Sequence, residues 1–294
     1  MSIWLNLKAL IIAFQRQFKG DFVSEILGFG IAGNFALHLE QAGEADDFAL
    51  VKTDDEYAPK GIFPFYIKGS DSSLGRNCID NGYLYLPNDK NLNIQMEPEI
   101  TLRCELEYEN NKVKSIKPLK FAAFNDASVR NDKTATKISQ KKNFSNGSKG
   151  IGNEIDIDKF SLGGICDNYS LVSFLQSQNE LIRYGECAKL SGYSYFYEKL
   201  LEWIKDRLNT QENYAVLENL SDILKNANYP NEMIITIGAT RYEEAGKNRY
   251  LKPGDICYVV AFDHTKFDLS SITNAIKNGS KLPSSVSILR QEVR

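Results

Sequence analysis

Glu97-Pro98-Glu99-Ile100-Thr101-Leu102-Arg103-Cys104-Glu105-Leu106-Glu107-Tyr108 alternates strictly. Ile100, Leu102, Cys104, Leu106 and Tyr108 recur at every second place, the period of a half-buried strand. The other face carries Glu97, Glu99, Thr101, Arg103, Glu105 and Glu107. Glu97 and Glu99 then stand about 7 Å apart on one face, at roughly 3.3 Å per residue. Two carboxylates so placed can share one hard cation, and a third from another strand completes three corners of an octahedron. Asp126 is the candidate third, carried by a second strand expected over residues 113–124. A Glu-rich face is also the ordinary solvated face of an antiparallel strand, so the strand alone does not decide for a metal.

The segments that follow do more. Asn125-Asp126-Ala127-Ser128-Val129-Arg130-Asn131 comes next, and then Lys142-Asn143-Phe144. Glu-x-Glu, Asn-Asp-x-Ser-x-Arg and Lys-x-Phe, in that order, resemble the fumarylacetoacetate hydrolase family, whose pattern runs E-x-E, N-D-V-S-A-R-D, K-S-F-D. Ala127, Val129 and Asn131 depart from the middle motif. The resemblance extends to Gly33-Asn34-Phe35-Ala36-Leu37-His38 against the family's G-x-N-Y-x-x-H, with Lys52 near the family lysine but Thr53 in place of its proline. Ile234 to Thr240 is similar to I-x-T-G-T-P, and Leu251-Lys252-Pro253-Gly254-Asp255 to L-K-P-G-D.

The resemblance implies an α+β fold: a mixed, rolled β-sandwich or barrel, mostly over residues 60–270, with peripheral helices. It implies Mg²⁺ or Mn²⁺ at Glu97, Glu99 and Asp126, and hydrolysis of a C–C bond in a small 2-oxo acid or 1,3-diketone through a metal-stabilised enolate. Decarboxylase, hydratase or isomerase chemistry, or a silent metal- or ligand-binding protein, are the alternatives. The implied catalytic residues are His38, Glu40 and Lys142, with Lys52 and Thr240 on the substrate carboxylate and Arg130 bracing the Asp126 loop. Three departures bear on this. The family's glutamate three residues after the histidine is Gln41 here, with Glu40 one place early. Residues two apart point about 200° apart on a helix, so Glu40 reaches His38 only through a distortion; otherwise Glu44 must fold back from beyond Gly43. Lys133 stands where many members carry a glutamine. Ser145 to Gly152 lacks the family's A-P-x-G-P.

The rest of the chain sets bounds. Its 294 residues allow ample core, and residues 1–27 read as an N-terminal helical extension to an FAH-like domain over 28–294. A net charge of −3 without a basic tract argues against nucleic acid as partner. Five scattered cysteines read as reduced thiols of a cytoplasmic protein, with neither a disulfide nor a zinc framework. Ile3 to Phe14 falls short of the ~20 apolar residues of a membrane span and reads as an amphipathic helix on the domain. Gly28, Gly30 and Gly33 formally match G-x-G-x-x-G, but the acidic-ended second strand of a dinucleotide site is missing. Tyr193–Leu208 and Ala215–Ala227 carry apolar residues at helical spacing and make an expanded helical insert of about 190–228. The family often forms dimers, so a homodimer acting on a small carboxylate substrate is expected.

Overall fold

The computed structural model describes residues 27–36, 38–53 and 55–294, so the expected helix over Ile3–Phe14 lies outside the described residues. In chain order the strands are β1 (Leu27–Ala32), β2 (Gly61–Ile67), β3 (Tyr83–Leu84), β4 (Ile94–Gln95), β5 (Pro98–Glu109), β6 (Lys112–Asp126) and β7 (Ser128–Val129). They continue with β8 (Lys149–Ile151), β9 (Ile155–Asp156), β10 (Tyr169–Ser177), β11 (Glu180–Lys189), β12 (Glu232–Thr236), β13 (Ile256–Asp263) and β14 (Ser287–Val293). The α-helices are α1 (His38–Ala42), α2 (Ile138–Lys142), α3 (Tyr197–Thr210), α4 (Leu220–Asn226) and α5 (Leu269–Lys277).

A seven-stranded sheet runs β2-β1-β12-β5-β6-β8, with β9 also on β6, and a five-stranded sheet runs β11-β10-β13-β14-β3. Both are mixed: β1 pairs with β12, and β14 with β3, in parallel, while the other pairs are antiparallel. The core lies between them, where Phe121 of β6 meets Tyr169 of β10 edge to face at 4.9 Å. This is the expected α+β FAH-like architecture. It is wider than residues 60–270, since β1 and β14 are built into the sheets.

The alternation in β5 is real, and its two faces differ in a way that positions the site. Ile100, Leu102, Cys104 and Leu106 are buried in the core. The opposite face is solvated only at its far end, at Glu105 and Glu107; Glu97, Glu99 and Thr101 are buried. The helical insert forms as a helix, a link and a shorter helix. In α3, Leu200, Ile204 and Leu208 are buried at the i, i+4, i+8 spacing of one face. Residues 215–219 do not join the expected second helix, which starts at Leu220. Gln211 donates to the carbonyl of Ile62 and accepts from its amide, at 2.7 and 2.9 Å, which ties the insert to β2. All five cysteines are free, and only Cys187 is exposed. No described helix is long and apolar enough to cross a membrane.

Two glycine-bearing stretches are decided by close approach. A Cβ on Gly28 would fall 2.3 Å from the Phe65 ring, and one on Gly30 2.3 Å from the Phe63 ring. These glycines let β1 lie under two aromatic rings, so packing accounts for a pattern that otherwise matches a phosphate loop. Gly147 has φ +71°, and its Cβ would fall 1.8 Å from the backbone oxygen of Tyr83. Gly147→Ala is therefore expected to cost about 2 kcal/mol or more, from strain and a clash with backbone. A urea midpoint unchanged from wild type would contradict this.

Candidate metal and active site

The antiparallel register of β5 on β6 builds the carboxylate cluster. Pro98 lies opposite Asn125 and Glu99 opposite Phe124, and the Asp126 amide donates to the Glu97 carbonyl at 2.9 Å. Opposed residues share a face, so Asp126 joins Glu97 and Glu99. One ligand atom from each of the three lies within 4.8 Å of the others, and all three residues are buried. Asn125 holds this corner: its Oδ1 accepts from the Glu97 amide at 3.2 Å and its Nδ2 donates to Gln291 of β14 at 2.9 Å.

Cationic groups crowd the triad. Lys142, at the end of α2, places Nζ 2.8 Å from Glu97 Oε2 and 2.7 Å from Asp126 Oδ2. Lys149, on β8, places Nζ 2.8 Å from Asp126 Oδ1. Arg130 reaches Glu97 Oε1 at 2.9 Å, and also Glu44, Gln95 at 2.8 Å and the Tyr242 hydroxyl at 2.7 Å. It braces Glu97 and the Glu44 segment rather than Asp126.

Glu97 and Glu99 are pushed in opposite directions. Burial pushes Glu97 up, but the Arg130 guanidinium and the Lys142 ammonium outweigh it and hold Glu97 below the usual carboxylate range. Glu99 goes the other way. Burial, with the charges of Asp126 and Glu97 beside it, pushes its carboxyl well above that range, and Lys142 only partly offsets this. Its Oε2 accepts from the Gly238 amide at 3.0 Å. Lys142 stays charged despite burial, because Asp126 and Glu97 raise its pKa.

Donor chemistry favours a hard divalent ion. Every candidate ligand is an oxygen. Glu97 Oε1 and both oxygens of Asp126 are buried without a hydrogen-bond partner. The close ammonium and guanidinium groups are ion pairs out of hydrogen-bond alignment with these atoms.

His38 opens α1 beside the triad. Asn34 sets its approach, donating to the Tyr195 and Ile237 carbonyls at 3.0 and 2.9 Å and accepting from the Tyr195 amide at 2.8 Å. The buried ring lies 5.4 Å from that of Tyr242. Neither ring nitrogen has a hydrogen-bond partner, and Nε2 is 3.9 Å from Glu97 Oε2. Burial pushes the imidazole down to about 4, although the Glu97 charge opposes this. His38 is thus neutral near pH 7.

Of the residues singled out from the sequence, Glu97, Glu99, Asp126, Lys142 and His38 come together. Thr240 lies beside them, but its amide donates to the Pro98 carbonyl at 3.1 Å and is not free for a carboxylate. Glu40 is exposed; two residues on from a buried His38, it faces the opposite side of α1. Glu44 is the carboxylate that folds back beyond Gly43, and it meets Arg130, not His38. Gln41 accepts from the Tyr242 amide at 2.8 Å. Lys52 is exposed and lines a separate cleft of about 700 Å³ with Tyr195, Trp203 and Arg207. The chain turns outward after the buried Phe48, which removes Lys52 from the triad. Lys133 is exposed as well. Lys149, inside the region that departs from A-P-x-G-P, is a site residue that the motifs do not mark.

Solved structures share this fold. Cg1458 with inhibitor superposes with a TM-score of 0.54 at 15% identity, covering 92% of this chain and 77% of that one. A protein from Yersinia pestis CO92, described as belonging to the fumarylacetoacetate hydrolase family, does so with a TM-score of 0.50 at 10% identity, covering 93% and 95%. At such identities the likeness is one of fold. No curated protein matches the sequence. Residues 44–293 match the family of unknown function DUF5718, and the chain belongs to that family.

Proposed function

We propose that this chain is an enzyme that uses one Mg²⁺ or Mn²⁺ to hydrolyse a C–C bond of a small 2-oxo acid or 1,3-diketone. The observation that carries the reading is the buried triad of Glu97, Glu99 and Asp126, with oxygens that lack hydrogen-bond partners. Converging buried carboxyls are unfavourable unless charge compensates them. When bound, the cation supplies a Lewis acid that draws charge from the carbonyl and carboxylate oxygens of a substrate. The chain's own groups do the rest. Lys142 neutralises a substrate carboxylate at the edge of the triad. His38 takes a proton from water at a free ring nitrogen, and Glu97 steadies the imidazolium so formed. Arg130 keeps Glu97 anionic. The cavity bounded by His38, Glu44, Glu97, Glu99 and Lys142 is about 10 Å³, room for one ion or water. Substrate entry therefore needs the His38–Lys52 segment to move outward.

A panel of 2-oxo acids and acylpyruvates, assayed with Mn²⁺ and with chelator, tests this reading. Cation-dependent cleavage is expected, and His38→Ala should lower turnover about 10²-fold while Mn²⁺ still binds. His38 lacks the adjacent carboxylate that Glu40 would have supplied, which favours a second reading: decarboxylation or isomerisation at the same triad, without an activated water. Full turnover by His38→Ala would select it.

A further inference from the structure

Two lysines touch Asp126, and they are held in different ways. Lys149 is wholly buried. Its Nζ meets Asp126 Oδ1 at 2.8 Å. It also donates toward three backbone carbonyls, those of Ala127 at 3.0 Å, Lys142 at 2.7 Å and Ser148 at 3.1 Å. An ammonium has three protons, so these oxygens saturate it. The carbonyls of Ala127 and Ser148 flank the pairing of Lys149 with Asp126 in β8 and β6, and that of Lys142 stands at the end of α2. Lys142 Nζ has carboxylate oxygens as its close partners, Glu97 Oε2 and Asp126 Oδ2. It sits on the one-turn helix α2. One ammonium is therefore built in, and the other rests on the same carboxylates that a cation would use.

The charges follow the same division. Glu44, Glu97 and Asp126 face Arg130, Lys142 and Lys149. A divalent ion entering this cluster meets positive charge that must move or be tolerated. The Lys142 side chain can swing away while its backbone carbonyl stays on Lys149; the Lys149 side chain cannot.

We propose that Lys149 is a positioning residue that pins Oδ1 of Asp126 and holds down the site's affinity for divalent cations, while Lys142 is the charge that yields when a cation enters. This rests on the cation reading above. A fixed unit charge beside a ligand oxygen opposes a second cation strongly at short range. A lysine of purely structural value would have the opposite effect, since its loss would loosen Asp126 and weaken binding.

Calorimetric titration of Mn²⁺ into chelator-treated wild type and Lys149→Met separates the two. The wild type is expected to bind, and Lys149→Met to bind about tenfold tighter or more, equivalent to about 1.4 kcal/mol. Binding by Lys149→Met no tighter than wild type overturns the inference and leaves the cation reading standing. Absence of binding to both proteins overturns both. If circular dichroism shows that Lys149→Met is unfolded, ¹⁵N-lysine NMR of the wild type decides, with Lys142→Met used for assignment. On Mg²⁺ addition the Lys149 ammonium should stay protected from exchange and the Lys142 ammonium should lose protection. Loss at Lys149, or none at Lys142, overturns the proposal.

Discussion

Glu99→Ala is expected to abolish the thermal stabilisation that millimolar Mn²⁺ or Mg²⁺ gives the wild-type protein. A ligand present at 100 times its Kd stabilises the folded state by about 2.7 kcal/mol, so the effect to be lost is large. Glu99 is raised by burial and by its anionic neighbours. A carboxyl raised in the fold contributes stability below its unfolded pKa and loses it as pH climbs through the folded value. In the absence of cation, the cluster should therefore weaken the fold as pH rises. A cation replaces that proton, so its stabilising effect should grow with pH, being larger near about pH 8 than near about pH 5. Thermal melts at both pH values, with and without Mn²⁺, measure this. A wild-type protein indifferent to Mn²⁺ at the higher pH would contradict the cation reading.

Arg130→Met should destabilise the fold by about 3–5 kcal/mol, the cost of breaking a buried ion pair from one side. Arg130 is the shared partner of Glu44 and Glu97, and it also bonds Gln95 and Tyr242. Methionine fills much of the volume but leaves two carboxylates buried beside an apolar chain. Those charges cannot both persist, so Glu97 should also lose its preference for the anion, and Mn²⁺ affinity should fall with stability. Urea unfolding of wild type and variant checks the first effect, and the Mn²⁺-dependent melt the second. A shift below about 0.5 kcal/mol, the range of ordinary surface substitutions, would mean that Arg130 is not the brace it is taken to be.

How far the sequence could be read depended on the kind of interaction involved. Period-2 alternation identified β5, because one face packs in the core and periodicity reports burial directly. The same alternation could not say that the polar face is buried at Glu97 and Glu99, since they face residues of α1 and α2, remote in sequence. The ordered motifs marked the triad and Lys142, where the pairing of β5 with β6 brings the carboxylates together. They did not place Lys52 or Glu40. Lys52 depends on where a loop leaves the domain. Glu40 depends on helix phase, and Glu44, expected to fold back to His38 from beyond Gly43, meets Arg130 instead. Lys149 left no local signal. Within Ser148-Lys149-Gly150 it reads as a loop residue, and a lysine becomes a core residue only when carbonyls and a carboxylate from elsewhere surround it. The second insert helix starts late, at Leu220, because Gln211 before it is committed to β2, a tertiary demand that overrides helical spacing.

Diffraction at the manganese absorption edge from crystals grown with Mn²⁺ tests the central claim most directly. The account predicts one anomalous peak among the carboxylate oxygens of Glu97, Glu99 and Asp126, at about 2.0–2.3 Å from them. A map with no peak there, and with the Lys142 ammonium still between Glu97 and Asp126 at saturating Mn²⁺, would contradict it.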